Sequence, residues 1–152
     1  MKKVVTLLLK IKIIMRKDLF HDACKLALEQ DGWTITAEHL DLTVGEVELY
    51  ADLGAERVIS AERENEKIAV EIKSFVAQSP VSEFHKALGQ YENYKLSLEE
   101  VEPLRRIVLA IPDAAWNSFF QRPFIKKAVE RHHLEILVFN PQTQTIVAWI
   151  QS

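Results

Sequence analysis

The chain has 152 residues, of which 48% are hydrophobic and 27% are charged, and it contains only four glycines and five prolines. This composition is typical of one ordinary folded domain, and it argues against disordered linkers, low-complexity tracts and a two-domain organisation. The net charge of −3 argues against a generally basic nucleic-acid-binding surface, while the single cysteine, Cys24, excludes an internal disulfide and favours the reducing cytoplasm.

The beginning of the chain resembles a signal peptide only superficially, because lysines interrupt its apolar run and no small-residue cleavage site follows. The run is also shorter than the ~20 apolar residues that a membrane helix needs. Leu9, Ile11 and Ile13 alternate with lysines, which is a strand pattern. Two interpretations stay open: residues 1–14 are an extension upstream of a single domain over residues 15–152, or they form an added edge strand.

The next elements are one helix and a series of strands. Asp18 is a plausible N-cap and Gly32 a plausible end for an amphipathic helix between them. Short β-branched and aromatic runs then predict strands, and the turn-like sequence ERENEK joins the last two of them as a hairpin. The predicted strands are Trp33–Thr36, Glu46–Ala51, Arg57–Ala61 and Lys67–Phe75.

The second half of the chain begins with a long helix that starts at Ser79 and Pro80. The run RRIVLAIP, which ends at Pro112, predicts a strand buried on both faces. Helices over residues 114–120 and 123–132 and two closing strands, LEILVFN and TIVAWIQ, complete the chain. Because strands lie on either side of a helix, this order of elements predicts an α/β fold with a mixed central sheet flanked by helices.

The predicted strand KIAVEIKSF contains an acid and a base within an apolar run, and burying a charge costs several kcal/mol unless something compensates it. Strand alternation puts Ala69, Glu71 and Lys73 on one face. Asp52 lies 19 residues before Glu71, and a hairpin of that length brings the two carboxylates together. With the backbone carbonyl of Ile72 and waters, these oxygens suit Mg²⁺ or Mn²⁺.

Other side chains complete this predicted site. Lys73 is suited to orient a metal-bound water or to stabilise developing negative charge during phosphodiester hydrolysis. Gln90 and Tyr94 stand four residues apart on the second helix, and they therefore face the same way and can hold a phosphate or a water. Glu56 is a further ligand, an acceptor of hydrogen bonds from the groups around the metal, or an exposed loop acid, and the exposed loop acid is favoured.

The pattern D-x₁₈-E-x-K followed by Q-x-x-x-Y resembles the PD-(D/E)xK nuclease superfamily, although Ala51 stands where its motif has proline. This resemblance implies a restriction-endonuclease-like fold, with Asp52 and Glu71 as metal ligands, Lys73 as the catalytic lysine, and Gln90 and Tyr94 as the auxiliary pair.

A second resemblance covers nearly all of residues 15–151. The segments RKDLFHDACKLALEQDGWTIT, YADLGAE, KIAVEIKSF, ALGQYENY and VFNPQTQTIVAWI are similar to the XisH family of excision controlling factors. This second resemblance implies a role in support of site-specific DNA excision or recombination, and a small protein partner of the XisI type.

Each candidate also has a plainer interpretation. Asp52, Glu71 and Lys73 could form a structural ion pair, and Gln90 and Tyr94 the polar edge of a helix. A basic stripe on the helix after Pro123 could contact DNA phosphates or could simply face solvent. It contains Arg122, Lys126, Lys127 and Arg131. The alternative function is a non-catalytic regulatory subunit that binds a protein partner on a nuclease scaffold, and the sequence leaves a homo-oligomer open.

Overall fold

The fold is a six-stranded mixed sheet with helices on both faces. The computed structural model describes residues 1–57 and 65–151, without the side chains of residues 13, 14, 16 and 17. The helices are α1 (Lys2–Gln30), α2 (Pro80–Val101), α3 (Asp113–Asn117) and α4 (Pro123–Arg131), with a 3₁₀ helix at Phe119–Gln121. The strands are β1 (Thr34–Asp41), β2 (Tyr50–Arg57), β3 (Glu66–Ile72), β4 (Arg105–Pro112), β5 (Ile136–Asn140) and β6 (Thr145–Ile150).

The strands follow one another across the sheet in chain order. β1, β2 and β3 are antiparallel, β3, β4 and β5 are parallel, and β6 returns antiparallel to β5. Each parallel connection contains helices, as such a crossover requires. The mixed α/β architecture predicted from the element order is therefore confirmed.

The sheet separates two hydrophobic cores. On one face α1 covers a cluster that includes Cys24, Leu28, Val70 and Leu137. On the other face α2 and α4 cover a larger cluster of buried aliphatic and aromatic residues. In β3, Ile68 and Val70 face α1 while Ala69 faces α2, so the predicted alternation of this strand is confirmed.

The N-terminal segment differs from the predicted strand, because α1 runs without interruption from Lys2 to Gln30. Residues 9–13 alternate over too few positions to decide the period, and the segment contains no glycine or proline that would end a helix. Asp18 consequently lies inside the helix rather than at its N-cap. Gly32, with φ of 91°, follows the C-cap residue as predicted.

The strand boundaries before residue 66 also differ from the prediction. Of the segment Glu46–Ala51 only Tyr50 and Ala51 lie in a strand, because Gly45 adopts φ of 55° and Val44 and Val47 exchange backbone hydrogen bonds in a tight turn. The strand therefore begins at Tyr50 and continues to Arg57. The predicted strand Arg57–Ala61 and the hairpin turn after it lie largely outside the described residues.

The second half of the chain follows the prediction closely. The Ser79 side chain accepts a hydrogen bond from the amide of Ser82, and it thereby caps α2 at the predicted residue. β4 is almost entirely buried. In the part of the chain that the structure describes, no helix is both long enough and apolar enough to cross a membrane.

Candidate functional site

Two acidic residues that are distant in sequence meet where β2 and β3 lie side by side. The register pairs Leu53 with Val70, so the preceding residue of β2, Asp52, lies next to Glu71. The backbone amide of Ile72 donates a hydrogen bond of 2.7 Å to Oδ2 of Asp52. This contact holds the Asp52 carboxylate across the end of β3, although Asp52 lies near the beginning of β2 rather than at a strand end as predicted.

Glu71 is a buried acid with only 6% of its surface exposed. Burial raises its pKa to about 9, and a hydrogen bond and charge repulsion from Asp52 act in the same direction. The Lys73 ammonium and a hydrogen bond to Tyr94 partly offset this rise in the pKa. The Glu71 carboxyl group is therefore largely protonated at neutral pH.

Lys73 directly follows β3 and extends its ladder, since its backbone amide donates to the carbonyl of Ala110 at 3.0 Å. Tyr94 is buried on α2, and burial followed by the charge of Glu71 raises the pKa of its phenol to about 12. A hydrogen bond with Gln90 acts in the opposite direction on this pKa. The structure thus brings Asp52, Glu71, Lys73, Gln90 and Tyr94 together at one end of the sheet.

Glu56 lies elsewhere. It is neither an exposed loop acid nor close to Glu71, because it sits in β2 opposite Lys67, four residues from Glu71 along β3. At about 3.3 Å per strand residue, this separates the two positions by roughly 13 Å. Its Oε1 accepts a hydrogen bond of 3.3 Å from Arg105, so Glu56 serves as an ion-pair partner of a buried arginine.

Some buried acceptor oxygens of β3 and α2 have no partner within the described residues. There, four buried side-chain polar atoms have no hydrogen-bond partner, and three of them are oxygens of Glu71, Glu83 and Gln90. Most buried polar groups in native proteins are paired, so each of these oxygens is a candidate acceptor for a water or ligand for a cation. Glu83 is absent from the predicted site, although it lies seven residues before Gln90 and thus on the same helix stripe.

The predicted basic stripe begins at Arg122, which is linked to the segment after Lys73 through two aromatic rings. The guanidinium of Arg122 lies 5.0 Å from the ring centre of Phe119, and Phe119 stacks on Phe75, two residues after Lys73. Lys126, Lys127 and Arg131 are exposed on α4. The opposite side of α4 is buried, as the spacing of its apolar residues predicts.

A comparison with protein-family models matches residues 14–147 to the XisH protein family. The chain belongs to the XisH family. A crystal structure of an XisH family protein from Nostoc punctiforme PCC 73102 is 41% identical, with a TM-score of 0.80. A crystal structure of an fdxN element excision controlling factor protein from Anabaena variabilis is 42% identical, with a TM-score of 0.79. Each comparison covers 88% of this chain and 99% of the other. None of the curated proteins compared with the chain matches it.

The donor set of this XisH chain is compatible with a hard divalent cation. Within the described residues, no three His, Cys, Asp or Glu side chains converge in a way that could hold a metal ion. Mg²⁺ is commonly held by only one or two carboxylates, with waters completing its octahedron. Asp52 and Glu71 supply two such carboxylates, whereas a metal that prefers sulfur or nitrogen would find no matching ligand in either of them.

Proposed function

We propose that this XisH chain has a PD-(D/E)xK nuclease-like site on a restriction-endonuclease-like fold and hydrolyses DNA phosphodiesters with Mg²⁺ or Mn²⁺. The observation that carries the proposal is Oε2 of Glu71, which is buried beside the Asp52 carboxylate and has no hydrogen-bond partner among the described residues. A buried carboxyl group whose pKa is raised this far is costly to ionise, and a bound cation is the direct way to compensate that cost.

Each residue of the proposed site has a separate role. Asp52, Glu71 and the backbone carbonyl of Ile72 would hold the ion, which supplies Lewis acidity toward the phosphoryl group and a more acidic water. Lys73 orients the attacking water or stabilises developing charge on the phosphate. Gln90 and Tyr94 position a phosphate oxygen or a water from α2.

The exposed basic residues of α4 and its N-cap support a DNA substrate. Arg122 packs on Phe119, which stacks on Phe75 two residues after Lys73, and Lys126, Lys127 and Arg131 are exposed on α4. Such residues contact phosphates without reading sequence. The relative from Anabaena variabilis is described as an fdxN element excision controlling factor. We therefore infer that cleavage or strand processing by this chain supports site-specific DNA excision.

The test is a cleavage assay on linear, nicked, branched and single-stranded DNA with Mg²⁺ or Mn²⁺. Wild-type protein should cleave at least one form, and Glu71→Ala and Lys73→Ala should abolish cleavage while circular dichroism shows a folded protein. Exposed residues on α2 provide matched controls, Glu100→Ala and Lys86→Ala, which should retain activity. If wild-type protein leaves every form intact, alone and with its co-expressed partner, the nuclease proposal fails.

A second candidate function is a regulatory subunit that acts by binding a small protein partner of the XisI type. The acidic net charge of −3 favours it. Size-exclusion chromatography with light scattering should then show a stable complex with the co-expressed partner. Asp52→Ala would leave the effect on excision unchanged, whereas the nuclease proposal requires that effect to be lost.

A further inference from the structure

The backbone just after Lys73 adopts a conformation that its residue type disfavours. Phe75 has φ of 55°, in the left-handed region that glycine enters freely and bulky residues rarely adopt. Such a conformation is strained, and it persists only where surrounding contacts enforce it. Because Phe75 is two residues from Lys73, the same contacts determine how the chain leaves β3.

Two sets of contacts hold Phe75. Its ring packs against Phe119 and Phe120, with ring centroids 5.5 and 5.1 Å away. Its backbone amide donates a hydrogen bond of 3.2 Å to Oε1 of Glu83, in the first turn of α2. On the other side, the Lys73 amide is bonded to the Ala110 carbonyl of β4. The backbone from residue 73 to residue 75 is therefore fixed from both sides.

Helix capping does not explain why an acid, Glu83, stands in the first turn of α2. Ser79 already caps α2, and the residue that a capping box would use, three positions after the cap, is Ser82. The Glu83 side chain reaches back to Phe75 instead. Its other oxygen, Oε2, is buried without a partner among the described residues. Burying an unpaired acceptor destabilises the fold, so stability alone does not explain an acid at this position.

We infer that Glu83 is a positioning residue for Lys73: its carboxylate holds the left-handed turn at Phe75 and thereby sets the place from which the Lys73 ammonium reaches the site. The inference rests on the proposed function in so far as Lys73 acts on a scissile phosphate. Asp52 and Glu71 lie within the strands before this turn, so the turn controls the lysine and not the two acids.

The experiment compares wild type, Glu83→Ala and Glu83→Gln in the full chain, with Glu100→Ala as an exposed control on the same helix. Single-turnover cleavage at saturating Mn²⁺ should fall about a hundredfold in Glu83→Ala, because displacing a catalytic group by about 1 Å has effects of this size. Mn²⁺ affinity should stay unchanged. Glu83→Gln keeps an oxygen acceptor for the Phe75 amide and should restore most of the rate.

Two measurements do not depend on turnover. The Phe75 amide should lose its protection from hydrogen exchange in Glu83→Ala and keep it in Glu83→Gln. The acetylation rate of Lys73, relative to that of exposed Lys86, should change in Glu83→Ala alone. If the amide stays protected or the Lys73 rate stays constant in Glu83→Ala, the positioning role is refuted. If both change as expected but wild type cleaves no DNA, the positioning role stands and the nuclease proposal fails.

Discussion

The raised pKa of Glu71 has a direct consequence for folding stability. In the unfolded chain this carboxyl group titrates near 4.5, whereas in the folded chain its pKa is about 9. Between these values the folded state holds a proton that the unfolded state has lost. The free energy of unfolding therefore carries the full contribution of Glu71 below pH 4.5 and loses it as the pH rises toward 9.

Replacing Glu71 with glutamine removes this titration without a large change in shape. The loss in wild type amounts to about 1.4 kcal/mol for each pH unit, so the 2.5 units between pH 4.5 and pH 7 correspond to about 3 kcal/mol. The unfolding free energy of Glu71→Gln should therefore increase relative to wild type by about this amount over that range. The substitution also changes hydrogen bonds, but that effect shifts the stability by the same amount at every pH and does not alter the change with pH.

Urea unfolding followed by tryptophan fluorescence, in the presence of EDTA, measures the effect at several pH values from 4.5 to 8. Glu100→Gln is the matched control, since Glu100 is exposed on α2 and should show no such trend. If the stability difference between Glu71→Gln and wild type stays constant with pH, the burial of a protonated Glu71 beside Asp52 is refuted.

Three further outcomes are expected. Binding of Mn²⁺ should release the proton of Glu71, so calorimetry should show the affinity rising about tenfold per pH unit between pH 6 and 8, and an affinity independent of pH would contradict this. Arg106→Ala should lower the unfolding free energy by about 2 kcal/mol, because the mostly buried carboxylates of Glu66 and Glu135 lose the arginine that they share. Urea unfolding identical to that of wild type would argue against a stabilising role of these two ion pairs. Leu137→Ala, in the core beneath α1, should cost about 2–5 kcal/mol in the same assay, and a cost below 1 kcal/mol would mean that this core can close around the cavity.

Local sequence patterns correctly predicted how some residues of the candidate site are arranged. Alternation in KIAVEIKSF correctly places Ala69 on one face and its neighbours Ile68 and Val70 on the other, and the four-residue spacing of Gln90 and Tyr94 puts both on one side of α2. These relations depend only on the periods of strands and helices. The functional assignment of these residues stays a prediction.

The contacts of Glu56 and Glu83 depend on parts of the chain that are distant in sequence. Glu56 has the same residue type as Glu71 and lies only four residues from Asp52, yet the β2 and β3 register places it with Arg105. Glu83 contacts the segment after Lys73 because the chain turns at Phe75 with a left-handed backbone. Neither contact has a local sequence signature, since both depend on which strand and helix ends are neighbours in space.

By itself, the sequence determined the α/β class, the start of α2 at Ser79 and Pro80, and the buried strand β4, because caps, proline and apolar runs act over a few residues. Only the tertiary structure decided where β2 begins, that α1 extends back to Lys2, and that Glu71 is protonated where it meets Asp52. The physical reason is that strand register and desolvation are properties of packed neighbours, and these neighbours come from distant parts of the chain.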